Sequence, residues 1–432
     1  LFCSLKDATV ENLVIDSSCS FTGRYAGALS VLVAGSSTVK NVTNTAAVSG
    51  TERVGGLIGS MRDFEQPSVV SFEDCVNGAN VTGTGTGTWS WNNYVGGFIG
   101  DVYNVKGGTV SFTECVNEGN VTSRASNNGG FIGFIQNKNE NVSMSFSGCS
   151  NHGSVNGTSS IGGFIGDISS GTVIINMVFS DCSNDGDITG SEMETSIAGF
   201  IGSISSDNAS VTFLSCSSHG SVSGKNQVGG FIGEINNDQN VKVVVSDCTV
   251  HGSLTGTKYV GGLFGYVSPN ANMEITISGF LSDASMTCDQ YAGGLFGSIS
   301  SGKNITLIIS NCTNDIAITG TDRLGGIIGS VTSDMTMSLS NCINNGNISG
   351  RTYIGGFIGT FGGSQESIVT ISNSTNNGIV HGTSNLAAGF IGSISFSSFL
   401  QSIAVNFMNS ANKGTASASN GMACGFFCVD PL

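Results

Sequence analysis

The sequence predicts an all-β chain folded as a parallel β-solenoid, and three observations carry that expectation. The unit Val95-Gly96-Gly97-Phe98-Ile99-Gly100 recurs at 54–59, 129–133, 161–166, 228–233, 260–265, 292–297, 324–329 and 354–359. Weaker copies stand at 198–202, 388–392 and 424–428, with a degenerate one at 25–29. The spacing is the second observation: Gly229, Gly261, Gly293 and Gly325 are 32 residues apart, and a fixed period of this size reads as a repeat array. Thirdly, 39% of the residues are apolar and recur in register with only three prolines. That suits hydrogen-bonded strands, which proline would interrupt.

Each repeat resolves into elements in a constant order. Before each cysteine comes a short run such as Val110-Ser111-Phe112, Val142-Ser143-Met144-Ser145-Phe146 or Ile305-Thr306-Leu307-Ile308-Ile309. β-Branched and aromatic residues at period two, bounded by Gly, Asn and Ser, read as strand. A second constant segment follows: Asp74-Cys75-Val76-Asn77-Gly78-Ala79-Asn80-Val81-Thr82-Gly83, and again Asn341-Cys342-Ile343-Asn344-Asn345-Gly346-Asn347-Ile348-Ser349-Gly350. No stretch keeps a capped helical period. A unit of two or three short strands cannot bury its apolar face alone, so the units must stack. Residues 1–432 are therefore read as one array of about 13 coils of about 32 residues, with partial coils at 1–25 and 424–432. At about 4.8 Å per coil the stack would be about 60 Å long. The handedness rule for parallel crossovers predicts a right-handed coil.

The Gly-Gly-Phe-Ile-Gly and Gly-Gly-Leu-Ile-Gly units, with Asn-x-Gly-x-Val-x-Gly upstream, resemble GLUG-motif repeats from about Leu13 to Cys428. The resemblance implies stalk or adhesive modules of large surface and secreted proteins, with any enzyme activity in separate domains. Composition narrows the classes further. A net charge of −15 argues against nucleic acid and against an anionic membrane as partners. No apolar run of about 18 residues exists to insert into a bilayer. No secretory leader is recognisable, and the chain begins as if inside a repeat.

In a parallel stack, equivalent residues form columns. One is Cys75, Cys115, Cys149, Cys182, Cys216, Cys248, Phe280, Cys312, Cys342, Ser374 and Ser410, with Val42 in the same place earlier. Cα atoms about 4.8 Å apart are within disulfide range, but parallel Cβ vectors hold the Cβ atoms beyond the usual separation of about 3.8 Å. A position that accepts Phe280 and Val42 is a packing position, so buried unpaired thiols are expected. Disulfides and a metal are the alternatives, although no CxxC pair or Cys/His spacing supports zinc. Cys3, Cys19, Cys424 and Cys428 lie outside the column and are the ones expected to bond; with 13 cysteines, one at least stays unpaired. Two residues past the cysteines runs a second column: Asn77, Asn117, Asn151, Asn184, Asn314, Asn344, Asn376 and Asn412. Its amides are expected to bond from coil to coil, the competing reading being a turn preference of Asn.

Three residues past the cysteine position stand Glu118, His152, Asp185, His219, His251, Asp283 and Asp315, beside an acidic row of Asp74, Glu114, Asp181 and Asp247. Such a strip is the candidate site for a divalent cation, the one cofactor considered, or for titration through its histidines. The plainer reading is a solvated turn edge whose charges discourage lateral pairing. The adjacent Phe98 and Ile99 pose a problem of faces, since strict alternation would expose one of them. Either a bulge at the paired glycines turns both inward, or Ile58, Ile99, Ile132, Ile165, Ile201, Ile232 and Ile391 form an exposed stripe for lateral contact.

The insert in the longest coil carries Trp89 and Trp91, the candidate contacts for a glycan or a host-surface ligand. Sequons place candidate N-glycosylation at Asn41, Asn80, Asn120, Asn141, Asn156, Asn208, Asn304, Asn311, Asn347 and Asn373. Neither end reads as a polar cap, so self-association end to end or laterally, within a longer rod or filament, is expected. No nucleophile with a base partner, phosphate loop or dinucleotide fingerprint is found. The expected function is a non-enzymatic structural or adhesive protein, extracellular or on the cell surface. A glycan-binding module and a polysaccharide-degrading β-helix enzyme are the alternatives.

Overall fold

The computed structural model describes the chain apart from residues 63, 86–92, 125–126, 139, 172, 192–195, 364–366, 397–402 and 430–432. Among the described residues every regular element is a strand. The strands are parallel and form a β-solenoid of about 12 turns, about 32 residues apart. The chain comprises two compact units, Leu1–Val222 and Ser223–Leu432.

In the first unit one turn is built from Tyr94–Gly96, Ile99–Tyr103, Gly108–Thr113, Val116–Asn117 and Val121–Ser123. The chain bends at Gly97 and Phe98, between the first two strands. Phe98 and Ile99 sit at that corner and are both wholly buried. Both therefore project inward, as one of the two expectations had it, but through a corner rather than a bulge. The exposed isoleucine stripe does not exist: Ile58, Ile99, Ile132, Ile165, Ile201, Ile232 and Ile391 are all at 0% exposure.

The glycine pair and the asparagine column are two halves of this corner. Asn44, Asn77, Asn117, Asn151 and Asn184 are fully buried. Each Nδ2 donates to the next Oδ1, at 3.0, 2.9, 2.8 and 2.8 Å, and Asn117 Nδ2 also donates to Gly119 O within its own turn. Asn44 extends the ladder one coil beyond the sequence reading. A Cβ at Gly97 would stand 2.0 Å from Gly130 O and 2.4 Å from Asn117 Oδ1. The side-chain amide thus occupies the space that a second side chain would need.

Beside the corner, in-register pairing stacks two rows of phenylalanines. Phe72, Phe112, Phe146, Phe179 and Phe213 lie 4.7–5.0 Å apart, nearly parallel. Phe98, Phe131, Phe164 and Phe200 repeat this at 4.7–4.8 Å. Rings of one row meet rings of the other edge-on, as at Phe112 and Phe131, 5.8 Å apart. Such pairs contribute about 0.5–1.5 kcal/mol each beyond their buried area. The column of Cys75, Cys115, Cys149, Cys182 and Cys216 is buried and forms no disulfide, and its thiols donate to backbone carbonyls, as Cys75 does to Glu73 O at 3.2 Å. Hydrogen bonding with Cys149 and Cys75, together with burial, pushes the Cys115 thiol up.

The second unit repeats the scheme. One turn comprises Ser285–Gly293, Phe296–Ser300, Ile305–Ser310, Thr313–Asn314 and Ile318–Thr319. Asn314, Asn344, Asn376 and Asn412 continue as a four-rung ladder at 2.7, 2.7 and 2.8 Å. Phe280 fills a cysteine position, is buried, and meets the Phe231 ring edge-on at 6.0 Å. Cys248, Cys312 and Cys342 are buried and form no disulfide, nor does the buried Cys288 outside the column, pushed up to about 12 by burial. Cys424 and Cys428 are bonded to each other. Cys3 and Cys19, also expected to bond, are free and exposed.

Candidate functional site

The inner columns repeat almost unchanged, whereas one outer edge changes from coil to coil. It is formed by the residue that precedes the apolar-Gly pair and by those on the strand after the corner. In the first unit Arg53, Tyr94, Asn127, Ser160 and Ser196 stand in register on one side. Ser60, Asp101, Phe134, Asp167 and Ser203 stand on the other. In the second unit the first position is held by Gln227, Tyr259, Tyr291, Arg323 and Tyr353, and Tyr266 lies across the corner. All seven tyrosines of the chain, Tyr25, Tyr94, Tyr103, Tyr259, Tyr266, Tyr291 and Tyr353, are at this edge, each half-buried.

Where bulky residues give way to small ones in the first unit, a cleft of about 620 Å³ opens. Tyr94, Tyr103 and Arg62 form one end; Phe134 and Gln136 line it, and Asn127, Ser160 and Asp167 continue it. Tyr94 stacks on Phe134 at 4.3 Å, and the Arg62 guanidinium lies 5.3 Å from the Tyr103 ring centre. Asp101, fully buried, anchors the end: Arg53 Nε and Arg62 Nη2 donate to its Oδ2 at 2.9 and 2.8 Å. Burial pushes the Asp101 carboxyl up, opposed by a Ser60 hydrogen bond and by both guanidiniums. Burial, and then the Asp101 charge, push the Tyr94 phenol up to about 12, so its hydroxyl keeps its proton at neutral pH. At the far end Asp167 accepts from Asn127 Nδ2 at 3.4 Å and from Ser205 Oγ at 3.2 Å.

In the second unit the edge is an aromatic and cationic row. Tyr259 lies 4.6 Å from Tyr266 and 4.8 Å from Tyr291, and Arg323 sits 4.9 Å from the Tyr291 ring, donating to its hydroxyl at 2.9 Å. Gln227, Tyr259, Tyr291, Arg323 and Tyr353 all adopt positive φ, between 51° and 62°. Left-handed backbone favours Gly, Asn or Asp, so large side chains in five consecutive coils hold a conformation that costs of order 1 kcal/mol each.

The carboxylate–histidine strip is present as alternating pairs. In the first unit His152 Nε2 is 3.4 Å and His219 Nδ1 2.8 Å from Asp185. In the second, His251 Nδ1 is 2.7 Å from Asp283, and Asn345 donates to Asp315 at 2.7 Å. Glu118 is exposed on the same turn. Among the described residues no three His, Cys, Asp or Glu side chains are grouped to hold a metal ion. The acidic row has a conformational cause. Asp74, Glu114 and Asp181 share a positive-φ column with Gly148 and Ser215, and Asp247 shares one with Gly279, Asn311 and Asn341.

Trp89 and Trp91 lie outside the described residues. The ten sequon asparagines, Asn41 to Asn373, are exposed or half-buried. Several bridge coils: Asn80 Oδ1 accepts from Asn120 N at 3.1 Å, and Asn347 Oδ1 from Ile379 N at 2.8 Å. No family model, curated protein or solved structure matches this chain.

Proposed function

We propose that this chain is a non-enzymatic, extracellular structural and adhesive protein whose tyrosine- and arginine-bearing edge is its contact surface. One observation carries the reading: all seven tyrosines stand half-buried at that edge, while the Phe, Asn and Cys columns hold the coils together. Half-buried tyrosines offer an apolar face and a polar tip to a partner at little entropic cost. The resemblance to GLUG-motif repeats of surface proteins supports the same reading. So does the commitment of Asp101, the buried carboxylate of the cleft, to two guanidiniums rather than to a reacting group.

Antibody labelling of intact, unpermeabilised cells of the source organism tests the location, and surface label is expected. Label that appears only after permeabilisation would overturn it. Incubating the purified chain with soluble polysaccharides and counting new reducing ends tests the non-enzymatic part; none should form, and steady release would overturn it.

A further inference from the structure

We propose that the cleft bounded by Tyr94, Tyr103, Phe134 and Asp167 binds a short neutral oligosaccharide. The inference rests on the reading of this edge as the contact surface and names the chemistry the surface takes. A saccharide presents flat C–H faces rimmed by hydroxyls. It needs an aromatic surface beside donors and acceptors at fixed positions, and the cleft supplies both.

The half-buried Tyr94 and Tyr103 provide ring surface within one recess, and Phe134, buried and stacked on Tyr94, backs it. Asp167 is an acceptor held by Asn127 and Ser205. Arg62 is a donor fixed on three sides, by Asp101, by Ser60 Oγ at 2.7 Å and by the Tyr103 ring. It spends two of its five N–H groups there. The polar groups are thus set before a ligand arrives, which lowers the ordering cost of binding. Charge selects the ligand class. Arg53 and Arg62 both pair with Asp101, Arg53 also lies 3.9 Å from Glu52, and Asp167 stands on the cleft wall, so the cleft carries no net positive charge. An anionic sugar would gain nothing from arginines already neutralised and would meet Asp167. The cleft volume, about 620 Å³, is that of a small-molecule site and suits more than one sugar ring.

The repeat itself supplies variants that the coil accepts. Phe134 faces Asp101 and Asp167 in the neighbouring coils, and Ser60 and Ser203 beyond them, so Phe134→Ser places at this coil a residue found at the same position elsewhere. Ser160 occupies the position that Tyr94 fills two coils away, so Ser160→Tyr fills the cleft with a side chain that the position accepts elsewhere. The probes are unlabelled cellotriose, maltotriose, mannotriose and chitotriose, with sialyllactose as the acidic control. Each is offered at about 10 mM to the full chain and read by saturation-transfer NMR, a range that detects dissociation constants near 1 mM.

At least one neutral trisaccharide should receive saturation through its ring protons. Phe134→Ser and Ser160→Tyr should each weaken it by about tenfold or more, about 1.4 kcal/mol. Sialyllactose should bind no better than the neutral probes. Absence of transfer to every neutral probe, or equal transfer to wild type and both variants, overturns the proposal. In either case surface labelling of intact cells still decides the reading of the edge independently, so the two failures are told apart.

Discussion

Replacing Asn151 separates a hydrogen-bonded ladder from a turn preference. Asn151 is fully buried. Its Nδ2 donates to Gly153 O at 2.9 Å and to Asn184 Oδ1 at 2.8 Å, while its Oδ1 accepts from Asn117 Nδ2 at 2.8 Å. Asn151→Ala removes all three bonds and strands a donor and two acceptors in the interior. A lost hydrogen bond costs about 1 kcal/mol and a stranded buried group about 1–3 kcal/mol, so a loss of about 3–5 kcal/mol is expected. Asn151→Asp is the sharper test, because it keeps the shape but turns the NH₂ into an oxygen that faces Gly153 O and Asn184 Oδ1. The ladder predicts that Asp is worse than Ala. A turn preference predicts the reverse, since Asp suits turns as well as Asn does. Urea unfolding of the full chain, read with hydrogen exchange at the amides of coils around Asn151, measures both variants. Asn151→Asp within about 1 kcal/mol of wild type would refute the ladder.

Gly97→Ala should cost about 4 kcal/mol or prevent folding, because its Cβ would meet the backbone oxygen of Gly130 at 2.0 Å. Gly171→Ala, with nothing within 4 Å, should change the urea midpoint by less than about 0.5 kcal/mol-equivalent, and comparable losses at both sites would contradict the packing. Under native conditions a thiol reagent should modify Cys3 and Cys19 quickly and leave the nine buried thiols until the chain unfolds. Rapid modification of more than two would contradict the buried column. Absorbance titration should show a late phenol step near pH 12, that of Tyr94. Its folded pKa lies above the unfolded value, so its contribution to stability is intact below about pH 10 and is lost as pH rises towards 12. A Tyr94→Phe variant that leaves the late step in place would contradict the assignment.

What repeats was legible in the sequence, and what varies was not. The glycine motif, the asparagine ladder and the thiol column could be read because a buried position constrains every coil in the same way. Asn44 escaped because its coil carries Val42 in place of the cysteine that marks the register. The acidic row was over-read. Gly148 and Gly279 fall in the same column and already pointed to left-handed backbone, for which Asp and Asn are cheap. The tyrosine edge was overlooked because its residues change from coil to coil, although Tyr25, Tyr94, Tyr259, Tyr291 and Tyr353 each precede an apolar or Ala residue and a glycine. The Arg53–Asp101 pair was beyond column reading altogether, since it joins two different columns across a corner and 48 residues of chain.

The edge, the cleft and the ladders all depend on equivalent residues standing one above another. Spin labels on the first unit measure this. Val69, Thr109, Ser143, Asn176 and Ser210 are consecutive register partners. With Cys3 and Cys19 replaced by serine, labels at Val69→Cys and Asn176→Cys should lie about 14 Å apart, and at Val69→Cys and Ser210→Cys about 19 Å, one strand spacing of about 4.8 Å per coil. Equal distances for the two pairs, or a separation that does not grow with coil number, would contradict the stack.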